Sequence, residues 1–390
     1  MLLPHDFEDT IELQQKLARV QSLLEASRRV HGTIRLDEVL HGVLEIAVKE
    51  LEADGAFFAP SEFLRAARET TYGRVPRDWA EWQAGDEHKG FASARLASER
   101  GDSLTHLVVC RAQPLGLEEA DFLEGLALQA ALAVGNARHH EQMLEWERVR
   151  QDLEAARAIQ RSLLPQAVPV LAGYSLGYRA TTCYEVGGDY LDILPQRDGR
   201  LMMVVADVAG KGSASALVSA SFRSMFRAMA EADFPLAEMA SRVNQLHWQE
   251  GPEARRRYVT AFLMRLDPVH HVLEAVNAGH NPGFLVAPGL APIQIESSGP
   301  PLGLLPNLTY TAQTCGIPPG ARIFVYTDGL TEVFRGEEQF GEERLLATLC
   351  GLPDSSSAGV LEAIWQAVTE FDEGPRQRDD MTALSILRSA

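Results

Sequence analysis

Five aspartates, Asp189, Asp207, Asp328, Asp379 and Asp380, stand where short apolar runs begin or stop. Asp189 follows Gly187-Gly188 and opens the run through Tyr190, Leu191, Asp192, Ile193 and Leu194. Asp207 closes the run Leu201-Met202-Met203-Val204-Val205-Ala206 and is followed by Gly210 and Gly212. Asp198-Gly199 joins the two runs, and Asp-Gly between apolar strands is a strong tight-turn signal. With the turn near 197–199, antiparallel pairing sets Asp189 opposite Asp207 within one residue of register. Like charges directly opposed destabilise a sheet, so two acids there invite a cation between them. Two coincident turn aspartates are the alternative, because Asp beside Gly is ordinary turn chemistry. Further on, Arg322-Ile323-Phe324-Val325-Tyr326 runs into Thr327-Asp328-Gly329, and Asp379-Asp380 opens the run from Met381 to Leu387. Together these strand ends offer oxygen donors with no His or Cys nearby in sequence, the set that Mg²⁺ or Mn²⁺ prefers over zinc.

Other polar residues carry weaker signals. Lys211, the only lysine beyond Lys89, sits in the Gly210-Lys211-Gly212 turn; it either neutralises a substrate phosphate or is a solvated turn residue. His280, within Asn277-Ala278-Gly279-His280-Asn281-Pro282, reads as a shape-determining turn residue. His270-His271 after Asp267-Pro268 reads as a hairpin loop, and Trp146 as packing on a helical seam. Arg255-Arg256-Arg257, the densest basic run, reads as a solvated loop rather than a nucleic-acid contact.

The elements that must position these residues follow from periodicity. From 170 onward, short alternating runs are separated by Gly, Pro, Asn and Asp, with helices expected near 213–231, 235–250, 341–350 and 357–371. The expected fold is a mixed antiparallel α/β domain. Upstream, Leu13, Leu17, Val20 and Leu24 predict a helix over 8–30, and Leu36, Val39, Leu40, Val43, Leu44 and Val48 predict another over about 36–52. Strands are expected at 55–59 and 104–110. Residues 121–165 predict one very long, possibly interrupted helix. Its first half is apolar nearly all round. Its second carries Trp146, Val149, Leu153, Ala156, Gln160 and Leu163 at heptad spacing, which predicts either a parallel coiled coil, and hence a homodimer, or a helix packed on its own domain.

Composition bounds the remaining possibilities. At 390 residues with 46% hydrophobic and 23% charged side chains, the chain is long enough for two or three domains and too apolar for wholesale disorder. A net charge of -18 opposes binding to a phosphate backbone, so no nucleic-acid partner is expected. Four scattered cysteines without a C-x-x-C pair argue against a disulfide framework or structural zinc and fit a reducing, cytoplasmic setting. The start Met-Leu-Leu-Pro-His-Asp has no basic stretch leading into an apolar one, and no segment has the apolar length of a membrane span. Neither leader nor membrane partner is expected.

Eight ordered stretches carry a family resemblance: Ala156–Pro165, Val186–Asp192, Asp207–Gly212, Tyr258–Phe262, Asn277–Pro282, Gly299–Leu304, Tyr326–Glu332 and Asp379–Thr382. Over residues 155–388 the chain resembles the metal-dependent protein phosphatases of the protein phosphatase 2C fold, in their SpoIIE-type branch. The resemblance implies an αββα sandwich of two antiparallel sheets flanked by helices, with two divalent cations, Mn²⁺ or Mg²⁺, at one end. By the family pattern Asp207 bridges both ions, helped by the Val208 carbonyl. Asp328 and Asp379 hold one ion and Asp189 contacts the other, so Asp207 and Asp189 are the catalytic pair. Gly210, Lys211 and Asp380 are implied as substrate-side or supporting residues. A water between two such ions loses a proton near neutral pH and attacks phosphorus in line. Eukaryotic relatives have a histidine two residues after the bridging aspartate; here that position is Ala209, and metal-bound water is the default general acid. The substrate implied is a phosphoserine or phosphothreonine protein such as an anti-sigma-factor antagonist of the STAS fold. A catalytically silent binding platform and a phosphoesterase for a small phosphate ester are the alternatives.

The first 140 residues resemble a GAF sensory domain in the helix from Leu40 to Leu51, in Ala53-Asp54-Gly55-Ala56-Phe57-Phe58, and in Leu117–Phe122 leading to Gln129–Ala137. A small-molecule GAF ligand and a purely dimerising role both stay open. The expected organisation is an N-terminal helix (1–33), a GAF-like α/β regulatory domain (34–138), a coiled-coil connector (139–165) and a phosphatase domain (166–390).

Overall fold

A computed structural model of the chain describes residues 21–22, 24–61, 64, 70–83, 90–97, 103–232, 234–352, 356–372, 374 and 377–390. Leu13, Leu17 and Val20 of the first expected helix lie outside these; residues 24–30 are helical (α1). The chain divides into two compact units at Arg150/Gln151.

In the first unit, α2 (Leu36–Glu50) presents Val39, Leu40, Val43, Leu44 and Ala47 as one buried stripe, with Asp37 and Glu38 in its first turn where the helix dipole favours acids. A four-stranded antiparallel sheet follows, built from β1 (Gly55–Phe58), β2 (Thr71–Gly73), β3 (Phe91–Ala97) and β4 (Ser103–Cys110) in the order β2-β1-β4-β3. Ala56, Phe58, Leu107 and Val109 on one face pack with α2 and with Phe122, Leu126, Ala130 and Val134 of α3 (Leu117–Leu163). The opposite face, bearing Phe57 and Val108, is covered by the chain's own Trp79, Trp82 and Phe91.

Helix α3 is continuous over 47 residues and passes through Gly125 and Gly135 without a break. Each glycine costs about 1 kcal/mol against alanine in a helix. Burial of the apolar first half offsets this. Trp146 and Val149 are exposed along the helix, whereas the final turns, expected as part of the connector, belong to the second compact unit.

That second unit contains two five-stranded antiparallel sheets. One has the order β11 (Ile293–Ile295), β10 (Gly283–Val286), β13 (Arg322–Tyr326), β16 (Met381–Arg388), β5 (Tyr174–Thr181). The other has β12 (Gln313–Gly316), β9 (Val272–Ala278), β8 (Val259–Asp267), β7 (Leu201–Val208), β6 (Tyr190–Pro195). Strand alternation builds the layers. In β7, Leu201, Met203 and Val205 meet Ile323, Val325, Leu384 and Ile386 of the facing sheet. Met202, Val204 and Ala206 point the other way, under α4 (Ser213–Glu231) and α5 (Leu236–Gln249). A short α6 (Pro252–Arg255) follows. The outer face of the first sheet, with Phe324 and Tyr326, is covered by α7 (Gly341–Cys350) and α8 (Ser357–Phe371). Each fully buried side chain of this sandwich contributes on the order of 1.5–3 kcal/mol. A small hairpin, β14 (Phe334–Arg335) and β15 (Glu338–Gln339), stands apart from both sheets. The unit is therefore an αββα sandwich, as the family resemblance implies, and it contains the mixed antiparallel α/β elements that the alternating runs predict.

Candidate active site: an acidic cluster at one end of the sandwich

The turn Gln196–Arg200 closes the β6–β7 hairpin, with Gln196 N donating to Arg200 O at 2.8 Å and Gly199 at φ +85°. Pairing of Tyr190 with Ala206 makes Asp189 and Asp207 the next opposed positions. By alternation Asp207 continues the inward set of Met203 and Val205. From the facing sheet, Tyr326 pairs with Ala383, and Thr327 N donates to Thr382 O at 2.9 Å. This brings Asp328 and Asp379-Asp380 to the same end. Contact between the two sets is direct: Thr327 Oγ1 donates to Asp189 Oδ2 at 2.9 Å, and Gly188 N donates to Asp380 Oδ2 at 2.8 Å.

The glycines are there because oxygen atoms fill the space a side chain would need. A Cβ on Gly188 would lie 2.9 Å from the Val208 carbonyl oxygen and 3.3 Å from Asp207 Oδ1; one on Gly187 would collide with the Asp380 carboxylate. Gly210 and Gly212 take φ +98° and +79°, a region that disfavours side chains. Asp380 is 93% buried by its 7% exposure, and accepts from Cys183 N and Gly188 N, both at 2.8 Å. It thereby straps the 183–188 loop in front of Asp189.

Burial, reinforced by mutual repulsion, dominates the electrostatics. Burial, then Asp207 and Asp380, hold the Asp189 carboxyl well above the ordinary carboxylate range, against the hydrogen bonds of Thr382 and Thr327. Burial, then Asp328, Asp379 and Asp380, push Asp207 up to about 7. Asp328 is raised to about 6 by burial, Asp379 and Glu332. A cluster of acids that resist ionisation is relieved by a cation. Among the described residues, no three His, Cys, Asp or Glu side chains already stand grouped around one point. The donor set nevertheless fits hard divalent ions: carboxylates and the Val208 carbonyl share one cradle, with no nitrogen or sulfur side chain needed.

Lys211 is an exposed turn lysine that leans on the acidic cluster. Its Nζ lies 2.7 Å from Asp379 Oδ2 and donates to the Arg378 carbonyl at 2.7 Å. It tethers the glycine turn to the acidic C-terminal segment. His280 has the structural part expected: it is buried, its Nδ1 sits 2.9 Å from Thr260 Oγ1, and burial lowers it to about 4. His270-His271 lie in the β8–β9 turn, where His270 pairs with Asp267.

Two residues, Gln160 and Asp192, support the site in a way not assigned to them from the sequence. The Gln160 amide donates to Gly187 O at 2.7 Å and accepts from Gly187 N at 3.0 Å, joining the end of α3 to the loop before Asp189. A cavity of about 320 Å³ lies beside it, lined by Ile159, Leu163, Val186, Leu217 and Asp189 among others. Asp192 is fully buried and receives Nε and Nη2 of Arg227 at 2.6 and 3.1 Å, together with the Tyr190 hydroxyl. This pair fixes α4, the helix that follows the Gly210–Gly212 turn, against β6. An acid in the middle of an apolar strand was the available signal.

Residues 197–389 match the family described as Stage II sporulation protein E (SpoIIE). The chain is 28% identical over 266 residues to Protein IcfG of Synechocystis, covering 62% of this chain and 42% of that protein. It is 26% identical over 234 residues to the phosphoserine phosphatase RsbP of Bacillus subtilis, covering 59% and 56%. The chain thus spans about half the length of these two relatives. Among solved structures, the SiaA-PP2C domain of Pseudomonas aeruginosa superimposes with a TM-score of 0.56 at 22% identity, over 63% of this chain and 98% of that one.

Proposed function

We propose that the chain is a metal-dependent protein serine/threonine phosphatase of the SpoIIE type, because residues 197–389 of the sandwich match the SpoIIE family and the fold superimposes on a PP2C domain. The observation that carries this is the meeting of Asp189, Asp207, Asp328, Asp379 and Asp380 at one sandwich end, where burial first and neighbouring acids second hold the carboxyls of Asp189, Asp207 and Asp328 above their ordinary range. Asp207 and the Val208 carbonyl would help hold two divalent cations, Mn²⁺ or Mg²⁺. Asp328 and Asp379 would hold one of these and Asp189 the other. Bound there, the cations activate water and neutralise phosphoryl charge. Thr327 and Asp380 orient the Asp189 side of the site through the bonds described above. Ala209 offers no proton, so no side chain at that position protonates the leaving serine oxygen.

The relative RsbP, a phosphoserine phosphatase, supports phosphoserine protein as the substrate class, and the SpoIIE-type branch supports a STAS-fold antagonist. We further read the chain as a cytoplasmic homodimer joined through α3, under control of its N-terminal GAF-like domain. Among the described residues no helix is long and apolar enough to cross a membrane. Exposure of Trp146 and Val149 supports the dimer seam. The Gln160–Gly187 pair supports control, because a displacement of α3 would pull on the loop before Asp189. The test is phosphate release from a phosphoserine protein and from a small aryl phosphate, in Mn²⁺, Mg²⁺ or chelator. Metal-dependent release from the protein is expected. Release from the small ester alone would favour a small-molecule phosphoesterase, and none from either would favour a silent platform.

A further inference from the structure

The triple-arginine run is three different side chains doing three different things. Arg255 stacks on Trp248, 4.3 Å from the ring centre, and donates to the Trp248 carbonyl at 2.7 Å. Arg256 pairs with Glu253 at 3.5 Å on the surface. Arg257 is half-buried, yet its guanidinium makes no hydrogen bond or ion pair among the described residues. Its main chain, in contrast, is held firmly. Arg257 N donates to Ala254 O at 2.8 Å, and Arg257 O faces Nε2 of the fully buried His247 at 3.0 Å.

The unpaired guanidinium lies beside the glycine turn that follows Asp207. Asp207 pairs with Thr260 and Val208 with Val259, and Ala209 N donates to Tyr258 O at 2.9 Å. One step further along this ladder, Arg257 stands opposite Gly210, and its Nη1 lies 4.0 Å from the point a Cβ on Gly210 would occupy. Charge then decides what belongs beside it. Two divalent cations do not neutralise the carboxylates of Asp189, Asp207, Asp328, Asp379 and Asp380, so an incoming phosphate dianion still meets net negative charge. Lys211 is committed to Asp379. Among the described residues Arg257 is an uncommitted, half-buried cation near the rim, where Arg378 beside Asp379 is exposed, and a planar guanidinium matches phosphate oxygens two at a time.

We propose that Arg257 binds the phosphoryl group of the substrate. This rests on the phosphatase reading and extends it by one residue. The experiment uses the full chain with Mn²⁺, as wild type, Arg257→Met and Arg257→Lys. It measures kcat and KM on a phosphoserine peptide, the affinity for inorganic phosphate by calorimetry, and the thermal stabilisation caused by Mn²⁺. A charge-assisted bond of ordinary strength predicts a KM higher by about 10- to 100-fold in Arg257→Met, with a comparable loss of phosphate affinity. Arg257→Lys should recover part of both, and Mn²⁺ should stabilise all three proteins equally. Wild-type turnover with unchanged KM and phosphate affinity in Arg257→Met would overturn the inference alone. So would loss of the Mn²⁺ response in that variant, which would make Arg257 a structural residue. A wild-type protein inert toward every phosphoester would overturn the phosphatase reading and this inference with it.

Discussion

Replacing Asp207 by asparagine should strengthen the metal-free protein while abolishing its response to metal. Folded Asp207 keeps its proton up to about pH 7, whereas the ordinary value is 3.8. Between those limits the folded state binds more protons than the unfolded chain, so stability falls as pH rises and the loss is complete above about pH 7. At 1.36 kcal/mol per pH unit the gap corresponds to about 4 kcal/mol. Partial solvent access at Asp207 reduces this to roughly 2–3 kcal/mol. Asparagine has nearly the same shape and no charge, so Asp207→Asn should recover that amount at pH 8 in chelator and almost nothing at pH 4. In Mn²⁺ the order should reverse, because wild type gains binding energy that the variant lacks. Urea unfolding of both proteins at the two pH values, with chelator or Mn²⁺, reads all four quantities. If Asp207→Asn destabilised the metal-free protein at pH 8, the view that Asp207 is a strained, cation-seeking carboxylate would be wrong.

Three further outcomes follow from packing. Gly187→Ala drives a methyl group into the Asp380 carboxylate; it should cost on the order of 1–3 kcal/mol and weaken Mn²⁺ binding by calorimetry, whereas Gly199→Ala in the exposed turn should leave Mn²⁺ affinity unchanged. Arg227→Met strands the fully buried Asp192 carboxylate, with an expected loss of about 3 kcal/mol in urea unfolding. Trp146→Glu places a charge on the exposed seam of α3 and should shift the protein to a monomer in sedimentation; an unchanged oligomer would remove the coiled-coil reading.

Much of the sandwich is legible in the chain because its signals are local. Asp198-Gly199 sets the β6–β7 register, and alternation along β7 separates the side chains that face the other sheet from those under the helices. The four helices of this unit that were expected each begin at or just after a glycine, proline or serine, and their observed limits differ from expectation by a residue at most. In the N-terminal unit β2 and β3 were not read. A three-residue strand such as β2 carries too little periodicity to distinguish it from a loop. The site is legible as a set of acids at strand ends, while its wiring is not. Lys211 reaches a carbonyl 167 positions away, and Asp380 accepts an amide 192 positions back. Nothing in the spelling of either segment encodes that partner. Gln160 was read as a seam position from heptad spacing, yet its amide is engaged by Gly187, a case of tertiary hydrogen bonding that a helical period does not report.

The most direct test of the account is a Mn²⁺ titration followed by calorimetry and by phosphate release from a phosphoserine protein in the same preparation. The account predicts two bound ions per chain, release that rises with their occupancy, and loss of both in Asp207→Asn. Release that persists in chelator, or an Asp207→Asn protein that still binds two ions and turns over substrate, would contradict it.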